Sequence, residues 1–215
     1  MAFGEVGTSL SKIKANSLNL AGTFGFTGTV SGLADETPLV LISTFTSDGS
    51  ADTATFTSGI DSTYKEYLFV FNNLHPQTDV VEFQFQADTG TNTNFNQTIT
   101  STVFRAYHNE AGSATGLAIY SARSQGQGTQ FQNITDDIGS GNDECFSGYL
   151  KLYNPSSTTF VKHFTAAASN YNSNDHISNW YTAGYFNTTS ALTRVRFKFE
   201  SGEIQGGTID LFGVV

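Results

Sequence analysis

The fold is most readable in YKEYLFVFNNLHPQTDVVEFQFQ, residues 64–86, where two strand patterns follow one another. In the first pattern, Tyr67, Phe69 and Phe71 share one face and the two aliphatic residues between them share the other. This is the two-residue period of a β-strand whose two faces are both apolar. The pattern predicts a central strand that is buried on both sides.

The second pattern, VVEFQFQ at 80–86, alternates apolar with polar residues. Val81, Phe83 and Phe85 are expected to face inward, which leaves the polar residues between and after them to face outward: Glu82, Gln84 and Gln86. A half-exposed strand is therefore predicted. The intervening NNLHPQTD, residues 72–79, contains Asn, His-Pro and Asp and is predicted to be a loop.

Comparable strand patterns continue to the C-terminus at hairpin spacing, and the clearest is LTRVRFKFE at 192–200. About ten strands in this arrangement predict an all-β fold, an antiparallel β-sandwich of jelly-roll type. Phe69, Phe83 and Phe197 are the predicted core residues, because each lies on the apolar side of an alternating strand.

The N-terminal part differs from the rest in composition. NSLNLAGTFGFTGTVSG, residues 16–32, is rich in Gly and Thr, has no charged residue, and is followed by the linker-like SGLADETP. We expect an extended anchor arm and linker over residues 1–35 and a display domain over 36–215. Four apolar side chains of the arm are the predicted contacts with a partner: Leu18, Leu20, Phe24 and Phe26.

Charge and cysteine content exclude several classes of protein. The 215 residues include 19 acids and 10 bases, and the net charge of −9 disfavours binding to nucleic acid through a basic surface. Cys145 is the single cysteine, so no internal disulfide is expected. No segment has the apolar length of a signal peptide or a membrane span, so we expect neither export nor membrane insertion.

Aromatic residues cluster in SNYNSNDHISNWYTAGYFN, residues 169–187, among Asn and Ser. Flat rings beside amides and hydroxyls are typical of surfaces that bind glycans or proteins. The candidate binding residues are Tyr171, Trp180, Tyr181 and Tyr185. For any one of them, a place in the core is the alternative and the more common role.

An acidic segment, DDIGSGNDE at 136–144, offers oxygen ligands of the kind that calcium requires. The weak candidates for a metal site are Asp136, Asp137, Asp143 and Glu144. The spacing differs from that of an EF-hand loop, and an acidic solvated turn is the favoured alternative. We therefore predict no metal and no cofactor.

No arrangement of residues points to catalysis. The four histidines have no metal-binding spacing and lie beside no nucleophile motif. Glycoside cleavage uses a pair of carboxylates, and many pairs are possible here, for example Glu82 and Glu200. No sequence spacing selects a particular pair. The protein is therefore predicted not to be an enzyme.

Three parts of the sequence resemble small virion accessory proteins of marine tailed phages: the opening MAFGEV…SLNLAGTFGFTGTVSGL, residues 60–86, and FKFESGEIQGGTIDLFG at 197–213. The resemblance implies a structural protein of capsid-decoration, capsid-fibre or tail-fibre type. It implies docking on the particle through the arm, display of the β-domain, and a role in host attachment. Other capsid or tail proteins and a host-surface glycan or protein are the implied partners, and assembly into virions occurs in the host cytoplasm.

Self-association is expected as well. Gly/Thr-rich arms leave backbone groups unpaired, and neighbouring copies can satisfy them around a threefold axis, so we predict a homotrimer. A carbohydrate-binding module of a secreted or surface protein is the alternative function. An enzyme acting on glycans is the third.

Overall fold

The computed structural model of the protein describes residues 38–215, which form twelve β-strands and a 3-10 helix at Ser121–Arg123. The strands are β1 (Leu39–Thr46), β2 (Ala54–Phe56), β3 (Glu66–Pro76), β4 (Val81–Thr89), β5 (Ile99–Asn109), β6 (Thr115–Ile119), β7 (Gln132–Ile138), β8 (Phe146–Tyr153), β9 (Lys162–Asn172), β10 (His176–Phe186), β11 (Leu192–Phe199) and β12 (Ile204–Val214). The predicted anchor arm, its boundary at residue 35 and its four apolar contacts (Leu18, Leu20, Phe24 and Phe26) lie outside the described residues.

The strands form two sheets, and every pair of neighbouring strands is antiparallel. The larger sheet has eight strands in the order β1-β12-β3-β8-β9-β10-β5-β6, and the smaller has four in the order β2-β11-β4-β7. The prediction of an all-β fold with antiparallel sheets is confirmed. The twelve strands of residues 38–215 are close to the expectation of about ten, and the two shortest, β2 and β6, also lie in segments with a strand pattern.

Phenylalanine is the most frequent residue of the core, and its rings come from both sheets. Phe69 of β3 and Phe83 of β4 each contact Phe197 of β11, with ring centroids 5.1 and 5.9 Å apart. None of the three side chains has any exposed surface, so their assignment to the core is confirmed. Edge-to-face and stacked contacts of this kind add to the free energy gained from burying the ring surface.

The structure of β3 differs from the prediction in two respects. The strand continues to Pro76, so the predicted loop at 72–79 is wrong over its first five residues. A bulge interrupts the pairing between Phe71 and Leu74, and Asn73 takes a positive φ of 47°, which asparagine tolerates better than most residues. The outward residues Leu68 and Val70 are only half-buried, because nothing among the described residues covers that face.

The prediction that β4 is half-exposed is wrong. Its inward residues are buried as expected, but Glu82, Gln86 and Asp88 on the outward side are also buried. Two segments, 91–98 and 120–131, lie across this side of the smaller sheet and bond to it. We refer to these two segments as the polar cover.

Residues 38–215 contain no helix that is long and apolar enough to cross a bilayer.

Candidate binding surfaces

The outer face of the larger sheet carries a row of apolar side chains that crosses six neighbouring strands. Strand register aligns one residue from each strand, from β6 across to β3: Ile119, Phe104, Tyr181, Ala167, Tyr149 and Val70. Facing residues of antiparallel strands project on the same side of a sheet, so these six form one stripe. We call the surface formed by β8, β9, β10, β5 and β6 on this side the open face.

The rings at the centre of the open face contact each other. Phe104 and Tyr181 are stacked with their centroids 4.9 Å apart and an interplanar angle of 14°. Their side chains are 37% and 44% exposed, and Tyr149 on the other side of β9 is 40% exposed. Shallow hollows of about 210 and 200 Å³ lie beside these tyrosines. This geometry offers flat apolar surface with little enclosure.

The open face is almost uncharged. The outward positions of β9, β10, β5 and β6 contain no Asp, Glu, Lys or Arg. Lys151 on β8 is the exception at its border, and it pairs with Glu66 at 2.9 Å. Besides the three rings, the exposed aliphatic side chains of this face are Leu117, Ile119 and Ile177. A contiguous exposed apolar area of this kind is typical of an interaction surface.

Three of the four predicted aromatic residues lie on the open face. Tyr171 is opposite Ile177 near one end, Tyr181 is at the centre, and Tyr185 is opposite His163 near the other end. Successive tyrosines are about 13 Å apart along the strands, so a ligand would need to be extended to contact all three. Tyr171 also donates a hydrogen bond to Asp175 at 3.0 Å, which raises its pKa to about 12.

Trp180, the fourth predicted residue, does not belong to this surface. It projects to the opposite side of β10 and is 1% exposed. Its indole nitrogen donates to Asn170 Oδ1 at 3.0 Å, and its ring meets Tyr120 edge-on at 5.2 Å. Because Trp180 and Tyr181 are adjacent in a strand, they must face opposite sides, so the prediction for Trp180 is wrong.

The four acidic candidates for a metal site do not converge. Asp136 is buried and accepts a 2.8 Å bond from Arg123, whereas Asp137 pairs with Arg105 at 3.7 Å. Glu144 accepts a hydrogen bond from a backbone N–H of its own loop, and Asp143 is exposed. No three His, Cys, Asp or Glu side chains in residues 38–215 are grouped as metal ligands would be.

A hollow of about 620 Å³ lies at one end of the sandwich, and Asp143, His75 and Cys145 are among the residues that line it. His75 uses Nε2 to bond to the carbonyl of Gly141 at 2.8 Å. Burial raises the pKa of the Cys145 thiol, so the thiol form predominates at neutral pH. This arrangement lacks the lowered pKa that would activate the cysteine as a nucleophile.

The polar cover is attached to the smaller sheet by buried hydrogen bonds and ion pairs. Arg123 pairs with both Glu82 and Asp136, which are 7% and 3% exposed. Gln86 has no exposed surface, and the two N–H groups of its carboxamide are shared among three backbone carbonyls of the cover, those of Gln97, Thr129 and Gln130. Because each of these buried side chains has hydrogen-bond or ionic partners, its burial does not leave a polar group unsatisfied.

Sequence reasoning missed Phe104 and Tyr149, which lie beside Tyr181. Both lie among the strand patterns that continue to the C-terminus, and in the alternation of TSTVFRAYH, Phe104 shares its face with Thr102 and Ala106. That alternation identifies an outward aromatic residue but not its neighbour, because the register between distant strands is not encoded locally. Arg123 was missed because its two partners are 41 and 13 positions away in the sequence.

Comparisons with models of known protein families, with curated proteins and with solved structures find no match to this chain.

Proposed function

We propose that this protein is a non-enzymatic structural protein of a phage virion, with a jelly-roll domain displayed on the particle and an N-terminal arm that docks it. The strand order is the observation that supports this proposal most directly. Jelly-roll domains are a recurrent architecture of viral capsid proteins and of lectins. The sequence of the arm supports docking, because it has a low charge density and apolar residues at alternate positions.

The strand order supports the jelly-roll assignment when two hairpins are left out of the comparison. Without β5–β6 and β9–β10, the sheets are β1-β12-β3-β8 and β2-β11-β4-β7. Strands at the same position in the two sheets are then consecutive in the chain: β1 with β2, β12 with β11, β3 with β4, and β8 with β7. A long antiparallel hairpin that is rolled into two four-stranded sheets would produce this order, and the agreement supports the proposal of a jelly roll.

The two additional hairpins support a display role. β5–β6 follows β4, β9–β10 follows β8, and both add to the same edge of the larger sheet. They provide four of the five strands of the open face. Their inner residues, such as Phe164 and Phe186, join the core, and their outer residues widen the exposed face of the larger sheet, which fits a surface used for contact.

Self-association through the open face is part of the proposal. Copies that each carry a net charge of −9 repel one another, and an uncharged apolar face is where they can approach most closely. Five strands about 4.8 Å apart and up to 11 residues long give roughly 700 Å², close to the roughly 800 Å² that each partner of a stable complex buries. We propose a homotrimer in which this contact and the arm act together.

The use of the acidic residues supports a role without catalysis. Glu82 and Asp136 are both held by Arg123, and Asp88 accepts hydrogen bonds from two backbone N–H groups and a glutamine amide. Carboxylates that are fixed in this way stabilise the fold and are not positioned to transfer protons to a substrate.

Incorporation into particles tests the docking role. Full-length protein, a variant lacking residues 2–33, and a variant with Leu18, Leu20, Phe24 and Phe26 changed to Ser would be supplied during phage assembly. Quantitative mass spectrometry of purified particles should detect only the full-length protein, while circular dichroism shows that all three are folded. Incorporation of the truncated protein at the full-length level would exclude docking through the arm.

Light scattering tests the trimer. Full-length protein should have a mass of about 70 kDa, three times the 23.2 kDa of one chain. The double variant Tyr149→Glu/Tyr181→Glu places charge in the open face and should shift the mass toward that of a monomer, whereas Tyr64→Glu outside the open face should not. A monomeric wild-type protein at tens of micromolar would exclude self-association.

A further inference from the structure

Another recess lies on the side of the sandwich opposite the open face, between the smaller sheet and the polar cover. It has a volume of about 220 Å³. Its floor is formed by Gln84 of β4 and Asn133 of β7, and its walls by Arg123, Gln125, Gln130 and Phe131. We call this recess the amide cleft, because four of these six side chains are carboxamides.

Two carboxamides of the cleft carry buried atoms without hydrogen-bond partners. Asn133 is 7% exposed, and within residues 38–215 its Nδ2 has no acceptor. Its Oδ1 has only a long 3.4 Å bond from Gln84. Oε1 of Gln125 is likewise buried and unpaired. Native proteins keep few such groups, and an unpaired donor and acceptor beside one cleft point to a ligand that supplies the missing bonds.

Charge does not select the ligand. The Arg123 guanidinium that lines the cleft is paired with both Glu82 and Asp136, so it is not free for an anionic ligand. One face of the Phe131 ring is associated with Lys198, whose Nζ lies 5.1 Å from the ring centroid. What remains for recognition is neutral: amide donors, amide acceptors and an aromatic ring surface. Amides pair with hydroxyls, and a ring packs on the C–H face of a sugar.

We propose that the amide cleft binds one neutral pyranose unit, such as the terminal sugar of a glycan. A volume of about 220 Å³ is below the roughly 300–1,000 Å³ of pockets for drug-sized ligands, which suits one sugar ring and not a chain of them. Asn133 Nδ2 donates to a sugar hydroxyl, and the Gln125 side-chain oxygen accepts from another. The proposal extends the host-surface part of the proposed function, and it can be tested on free protein without any particle.

Titration of the full-length protein with single sugars tests the proposal. Side-chain amide signals in NMR spectra would be followed while galactose, glucose, mannose and N-acetylglucosamine are added, with glucuronic acid as the anionic comparison. We expect at least one neutral sugar to bind with a dissociation constant of about 1 mM and to shift the Asn133 and Gln84 amide signals most. No shift with any neutral sugar at about 20 mM, or binding of the acidic sugar alone, would overturn the proposal.

Asn133→Leu separates ligand binding from folding. The substitution keeps the shape and removes the unpaired donor, so sugar affinity should fall at least tenfold while the melting temperature stays the same or rises. Asn174→Leu, the same change at an exposed position of the β9–β10 hairpin, should leave affinity unchanged. Retained affinity in Asn133→Leu would place binding elsewhere and refute the assignment to this cleft. Failed incorporation into particles would bear on the virion role alone.

Discussion

The outer faces of the two sheets are opposite in character. On the smaller sheet, the outward side chains of β4 are polar, yet Gln86 and Asp88 are completely buried beneath the polar cover. On the larger sheet, the outward side chains include Phe104 and Tyr181, and these remain exposed. Polar residues are therefore buried on one side and apolar residues are exposed on the other. Alternation along a strand shows which residues share a face, but not which face is covered.

Hydrogen bonding explains how the polar face can be buried. Each buried carboxamide or carboxylate of β4 finds donors or acceptors in the cover, including the backbone of residues 129 and 130 and the side chain of Arg123. A loop that covers an apolar surface leaves its own backbone groups unsatisfied, whereas a polar surface supplies partners. The polar face therefore suits a covering loop, and the apolar face suits a second protein.

Phe197→Ala and Tyr181→Ala form the strongest contrast between inward and outward aromatic residues. Phe197 is fully buried among Phe69 and Phe83, so its truncation should lower the free energy of unfolding by about 3–5 kcal/mol. Tyr181→Ala should cost about 1 kcal/mol or less, because its ring is 44% exposed. Chemical denaturation measures both. Losses below about 1 kcal/mol for Ala at Phe69, Phe83 and Phe197 alike would refute the assignment of the core.

Arg123→Ala tests the ion pairs of the polar cover. The substitution leaves Glu82 and Asp136 buried without their cation, and we expect a loss of about 3 kcal/mol in the free energy of unfolding. Lys151→Ala is the matched control, because it breaks a pair with Glu66 in which the side chains are 37% and 26% exposed. It should cost less than about 1 kcal/mol. Equal losses in the two variants would show that the cover pairs are screened like surface pairs.

Gln86→Leu tests the hydrogen bonds of the cover without changing charge. The carbonyls of Thr129 and Gln130 would lose a donor, and we expect a loss of about 2 kcal/mol. Hydrogen exchange at the N–H of Gly128, which bonds to Ile99 O at 2.9 Å, should become faster. Gln205→Leu at an exposed position is the control, and it should change neither quantity. Unchanged exchange in Gln86→Leu would mean that the cover is held by other contacts.

Asp137→Asn has the smallest expected effect. Burial raises the pKa of Asp137, the Asp136 carboxylate raises it further, and Arg105 opposes the rise. The folded state therefore holds this proton more tightly than the unfolded chain, and stability falls as the pH rises from about 4 through the folded pKa. The variant should lack this part of the pH profile and differ from wild type by less than about 0.5 kcal/mol at pH 7. An identical profile for both proteins would contradict the assignment.

Much of the core could be predicted from the sequence, whereas the candidate sites could be predicted only in part. Local alternation identified Phe69, Phe83 and Phe197 as core residues correctly. Successive residues of a strand point to opposite faces, and the face with the large aromatic rings is the one that packs in the core. The clustering of aromatic residues among Asn and Ser placed Tyr181 in a candidate site and also placed Trp180 there. Two adjacent strand residues cannot share a face, so a stricter use of the two-residue period would have separated them.

The sequence by itself determined the strand-rich fold, the antiparallel pairing implied by short connections, and the aromatic core, since these depend on periodicity and turn residues within short windows. The tertiary structure alone decided that β4 is covered by residues from 91–98 and 120–131, and that Phe104, Tyr181 and Tyr149 meet on one uncovered face. These outcomes depend on the order and register of strands that are far apart in the chain. Register is fixed by the packing of the whole sandwich and not by any single segment.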